Sequence, residues 1–162
     1  MMQLYTDFQD YEPGRTFQTG GRTVTEADIM AFAGLTGDFY RLHTDEEFAR
    51  RTPFGGRIAH GLLTLSQAVG LVVLSGVYSD SVLALLGIDR MRASEPVRPQ
   101  DTITVTVTVA ERRETRHPDR GIVVLDYVVS NQREQQVMTF TVTLMVRRAI
   151  ERPARGAQPD AT

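Results

Sequence analysis

An aspartate and a histidine stand five residues apart in the run Gly37-Asp38-Phe39-Tyr40-Arg41-Leu42-His43. A second histidine and a glycine follow in Arg57-Ile58-Ala59-His60-Gly61, at the head of an apolar stretch. A carboxylate, an imidazole and a set of backbone N–H donors are the minimum equipment for moving protons beside a carbonyl. The N–H groups of a helix start are unpaired and converge, so they can steady an oxygen that gathers negative charge. Gly61 has no Cβ and lets such an oxygen come close. Taken alone, the same residues also admit plainer roles. Asp38 can cap the end of one helix and His43 the start of another. Gly61 can be a packing glycine. His60 reads as a partly buried histidine that shapes the helix start. Ser66 can bind water or substrate, or simply bond to its own backbone.

These residues need elements to hold them. Thr25-Glu26-Ala27-Asp28 has the form of an N-cap with an acid three residues on. It predicts a helix that ends near Gly37, followed by a loop over Asp38–His43. Thr44-Asp45-Glu46-Glu47 starts a second, short helix with acids in its first turn. Gly61 to about Val77 is apolar on nearly every face, which implies a helix buried all round. Arg15 to Val24 alternates weakly and reads as a first strand. Four more strands are expected over Val82–Arg92, Thr102–Val109, Ile122–Ser130 and Val137–Val146. Thr102–Val109 alternates strictly, with Ile103, Val105, Val107 and Val109 on one side. Long alternating strands joined by hairpins make an antiparallel sheet with one covered face. A fully apolar helix needs that sheet curved around it. The pattern therefore predicts an α+β domain, an antiparallel sheet wrapped around a long central helix. It occupies residues 1–148, with a disordered tail over 149–162.

Composition removes several classes of function. The 162 residues carry a net charge of −2, so no basic surface advertises nucleic acid. There is no Cys and no Lys. Thiolate nucleophiles, Cys–zinc sites, Schiff bases and a P-loop lysine are thereby excluded. Asp38, His43, Asp45 and His60 lack any recognised ligand spacing, so no metal is expected. No redox cofactor is expected either. The start of the chain lacks a basic region followed by an apolar core, and the apolar helix contains polar residues. The expectation is a cytoplasmic protein that does not enter a membrane.

The segment GDFYRLHTDEEFA…TPFGGRIAHGLL resembles the active-site signature of MaoC-like dehydratases, the (R)-specific enoyl-CoA hydratases of the hot-dog fold. Their pattern runs Gly-Asp-x-Asn-Pro-x-His and then Ile-Ala/Val-His-Gly; here Tyr40 and Arg41 replace Asn and Pro. Pro96-Val97-Arg98-Pro99-Gln100-Asp101-Thr102 resembles that family's Pro-Val-x-x-Gly-Asp-Thr turn, with Gln100 for Gly. The resemblance covers roughly residues 13–148 and implies the hot-dog architecture. It also implies a lyase that adds water to, or removes it from, the 2,3 double bond of an enoyl thioester of coenzyme A or acyl carrier protein. Asp38 would activate the water, His43 would share the proton transfer, and the Gly61 N–H would hold the thioester oxygen. Tyr40, Arg41, His60 and Ser66 would bind substrate, with Arg41 placed to read a carboxylate or to point at solvent. Two other readings remain. One is a thioesterase of the same fold, although Leu62–Tyr78 contains no Asp or Glu. The other is a non-catalytic subunit of a paired hydratase. A homodimer or higher homo-oligomer is expected, because a single curved sheet leaves an edge strand and an apolar rim open.

Overall fold

Strict alternation of β-branched residues builds the sheet that carries everything else. The structure, a computed structural model, describes residues 5 and 7–148. In chain order its elements are β1 (Thr16–Gln18), β2 (Arg22–Thr23), α1 (Glu26–Thr36), α2 (Arg41–Thr44), α3 (Glu46–Ala49), α4 (Gly61–Leu74), β3 (Val82–Ala93), β4 (Thr102–Glu114), β5 (Arg120–Ser130) and β6 (Gln136–Arg147). The strands form one antiparallel sheet in the order β1-β4-β5-β6-β3, and β2 also pairs with β4. Ile103, Val105, Val107 and Val109 of β4 are buried, as are Val123, Leu125, Tyr127 and Val129 of β5. The intervening threonines of β4 take the half-exposed outer face. The helix α4 lies on the inner face, so the α+β arrangement expected from the pattern is the one found.

Three local departures have physical causes. The expected strand over residues 15–24 breaks into β1 and β2 at Thr19-Gly20-Gly21. A Cβ on Gly21 would stand 3.0 Å from a Thr102 methyl, so the chain crosses β4 where only glycine fits easily. The leading segment also contributes to the core: Tyr5, Phe8 and Tyr11 are buried there. The Tyr11 hydroxyl meets Ser81 Oγ at 2.8 Å, and those of Tyr78 and Tyr127 meet at 2.6 Å. Finally, α4 stops at Leu74 and is not buried all round. Leu63, Thr64, Gln67, Ala68, Leu71 and Val72 face inward. Leu62, Val73 and Leu74 are 60%, 59% and 76% exposed. Mean hydropathy could not separate a helix enclosed on every side from one whose second face is left open by a single chain. The expected tail, 149–162, lies outside the described residues.

Candidate active site

The site begins with a cap. Thr25 Oγ1 accepts from the Asp28 N–H at 3.1 Å, and the Asp28 carboxylate accepts from the Thr25 N–H at 2.8 Å. Burial, the largest single influence, works to raise the Asp28 carboxyl pKa. The bonds from Thr25 and Arg22 together outweigh it and leave that pKa lowered. The far end of α1 closes on Gly37 at φ +79, a left-handed position that suits glycine. This turn hands the chain to Asp38, which is exposed. The Tyr40 N–H donates to Asp38 Oδ1 at 3.3 Å, a local bond that orients the carboxylate.

His43 does not sit in an open loop, as the sequence suggested. It lies in α2, a single helical turn. Local contacts brace this turn: Arg41 pairs with Asp45 four residues on, at 2.7 Å, and its guanidinium lies over the Phe48 ring. Asp45 also caps α3 by accepting from the Phe48 N–H at 2.9 Å. That bond, and then the Arg41 guanidinium, lowers the Asp45 carboxyl pKa.

The two imidazoles have assigned tautomers. His43 Nδ1 lies 2.8 Å from the Ile58 carbonyl, which can only accept, so Nδ1–H donates and Nε2 is the nitrogen left for chemistry. His60 Nε2–H likewise donates to the Asp38 backbone carbonyl at 2.9 Å. The His60 ring is 2% exposed and lies against His43, with centroids 3.9 Å apart and planes tilted by 30°. Its Nδ1 is buried with no partner. One side-chain atom from each of Asp38, His43 and His60 lies within 4.8 Å of the others. Each ring has one nitrogen committed to a backbone carbonyl.

Beside His43 lies a cavity of about 220 Å³. Gly61 and Thr64 of α4 form one wall, and Ala93, Val97 and Met138 form another. The His60 side chain does not cap α4, and the first bond within the helix is Thr64 N–H to the His60 carbonyl at 3.1 Å. A Cβ on Gly61 would meet only Met91 Cε at 3.5 Å, an ordinary contact. Packing therefore does not demand glycine here, and the open space beside the helix start is what a ligand atom would use. The Ala59 N–H bond to the Val97 carbonyl at 2.7 Å ties the segment before α4 to the Pro96–Thr102 turn.

Residues 7–131 match the family described as MaoC like domain, well over half of the chain. The chain belongs to that family. Its fold is the hot-dog fold. Among relatives of this MaoC-like chain is the protein MaoC of Klebsiella aerogenes, 42% identical over 68% of this chain and 32% of its own length. This chain thus spans about a third of that relative. The (R)-specific enoyl-CoA hydratase of Rhodospirillum rubrum is 35% identical over 63% of this chain and 68% of its own. A crystal structure of the MaoC-like dehydratase from the same organism superposes with a TM-score of 0.79 at 33% identity, covering 88% of this chain and 97% of that one.

The MaoC-like site differs in detail from the residues expected. Asp38, His43 and His60 come together, and of these His43 lines the cavity with Gly61. Ser66 does not join them: it is exposed and donates to the Leu62 carbonyl at 2.8 Å within its own helix. Thr64 lines the cavity instead. Arg41 gives its charge to Asp45 and does not line the cavity. Tyr40 is 59% exposed and sets its ring edge-on to His43 and to Phe48. It thus holds the turn by packing, where the family has Asn. Gln100 adopts φ +73, the left-handed conformation that explains the family's Gly at that place. Sequence reasoning also passed over Gln67, which is 7% exposed with both amide atoms unpaired. Leaving such a group unsatisfied costs about 1–3 kcal/mol. Its spacing three residues after Thr64, on the same helix face, was the available signal.

Proposed function

We propose that this chain hydrates enoyl thioesters, and dehydrates 3-hydroxyacyl thioesters, of coenzyme A or acyl carrier protein. The observation that carries this reading is that His43, within 4.8 Å of an Asp38 carboxylate oxygen, lines the cavity together with Gly61 at the open start of α4. The names of the hydratase and dehydratase relatives support it. The thioester oxygen accepts from the Gly61 N–H, and the α4 dipole favours the enolate charge that develops there. In the hydration direction Asp38, as carboxylate, takes a proton from water while the water oxygen bonds to C3. His43, as imidazolium, gives its Nε2 proton to C2. The Ile58 carbonyl accepts from Nδ1–H in both charge states of the ring, so the imidazole is oriented throughout. Asp38 ends protonated and His43 neutral. A proton passing from one to the other through the next water restores the pair. Dehydration runs the same steps in reverse, with neutral His43 removing the C2 proton.

A second copy of the chain completes the surface in this reading. Leu62, Val73 and Leu74 of α4 and Leu83, Leu85 and Leu86 of β3 are all exposed apolar residues. A two-fold interface is the simplest way to bury such a patch. Among the described residues no helix is long and apolar enough to cross a membrane, and a cytoplasmic enzyme fits the reading. The test is loss of enoyl-thioester absorbance on hydration of a panel of enoyl-CoA substrates. Asp38→Asn and His43→Gln should each lower turnover at least about 100-fold, the low end of general acid–base contributions. Near wild-type turnover in either variant would refute the assignment.

A further inference from the structure

Gln67 is the one inward-facing residue of α4 whose polarity no neighbour uses. Its amide oxygen and amide nitrogen are both buried without partners. Thr64, one turn earlier on the same face, is the residue farthest along α4 that lines the cavity. The cavity thus stops one turn, roughly 4.5 Å, short of Gln67. A glutamine side chain has three rotatable bonds, so its amide can turn to meet a group that extends past Thr64. We propose that Gln67 is the far end of the acyl-binding site and selects acyl groups that carry an uncharged hydrogen-bonding function, a hydroxyl above all. This rests on the acyl-thioester reading of the site.

The chemistry follows from what each acyl end would leave behind. An alkyl end that reaches Gln67 leaves both amide atoms unpaired. A hydroxyl accepts from the amide N–H and donates to the amide oxygen, so it satisfies both. A carboxylate would be stripped of water there, a cost that one neutral amide does not repay. Position is set by the helix: Gln67 lies roughly 9 Å along α4 from Gly61, where the thioester oxygen binds, and a chain with its polar group near the sixth carbon spans that distance.

The experiment compares two saturated thioesters that match in length and cannot react, ω-hydroxyhexanoyl-CoA and heptanoyl-CoA. Calorimetry gives the Kd of each for the wild-type chain and for Gln67→Leu. Gln67→Met serves as a second variant in case leucine disturbs folding. The wild type should bind the hydroxylated ligand about tenfold more tightly, the scale of one well-made neutral hydrogen bond. The variants should reverse that order and should melt no lower than the wild type, because they remove an unpaired amide. Equal binding by the wild type, a preference for heptanoyl-CoA, an unchanged preference in both variants, or no binding of either ligand would each overturn the proposal. A hydroxyl preference in a chain that hydrates no enoyl-CoA would leave the subsite standing and refute the hydratase reading alone.

Discussion

His60 can be dissected by two substitutions that separate its hydrogen bond from its ring. Its Nε2–H ties down the backbone carbonyl of Asp38, and its ring supports His43 from beneath. His60→Phe keeps an aromatic face against His43 and Phe32 and loses the donor. Asp38 is exposed, so water can replace that donor and the stability lost is about 0.5–1.5 kcal/mol. The same change deletes the unpaired Nδ1, a gain of about 1–3 kcal/mol. The phenylalanine variant should therefore melt at or above the wild-type temperature. Its turnover should fall about tenfold or more, because an untethered Asp38 drifts from the water it must engage. His60→Gln does the opposite. It retains an N–H that can reach the Asp38 carbonyl and loses two ring contacts worth about 0.5–1.5 kcal/mol each. It should melt lower than the phenylalanine variant and turn over faster. Thermal melts and enoyl-CoA hydration on the same preparations read both orders. A residue that only fills space would make activity follow stability. The reasoning fails if the phenylalanine variant keeps wild-type turnover, or if the two variants rank alike in both measurements.

Two further outcomes are expected. Light scattering at micromolar concentration should show a dimer, and Leu83→Glu with Leu85→Glu should yield a folded monomer; a monomeric wild type would refute the proposed interface. Burial raises the pKa of the Tyr11, Tyr78 and Tyr127 hydroxyls above the ordinary 10.0, that of Tyr127 to about 12. The folded state thus holds these protons more tightly than the unfolded chain. The stability they confer is fully present below about pH 10 and is lost as pH rises above it, through about 12 for Tyr127 and higher for Tyr11 and Tyr78. Tyrosinate absorbance from these three should appear together with unfolding, and their titration near pH 10 in an intact fold would contradict the burial argument.

The sheet was legible because its signal is local: Thr102–Val109 alternates with period two, and each valine on one side is buried. The α1 cap was legible for the same reason, since Thr25 and Asp28 satisfy each other across three residues. The acid, the imidazole and the helix start were found from spacing and resemblance. What stayed hidden depends on distant contacts. Tyr5, Phe8 and Tyr11 follow no simple period, and their burial is decided by partners such as Ser81, seventy residues away from Tyr11. The helical turn at His43 is braced by an arginine that spends its charge on Asp45, which the sequence alone could equally have aimed at a ligand. Choosing Thr64 over Ser66 required knowing which side of α4 faces the sheet.

The rims of this sheet set how far assembly can go. β3 forms one rim, and its pairing with β6 shifts register three times, between Val82 and Ala84, Leu85 and Gly87, and Asp89 and Arg92. At the other rim β1 and β2 are separated at Thr19-Gly20-Gly21. A filament grows only if each copy offers the next an unbroken ladder of N–H and C=O groups in one register. The irregularities of β3 and the break between β1 and β2 interrupt such a ladder. Edge-to-edge growth into a filament is thereby disfavoured at both rims.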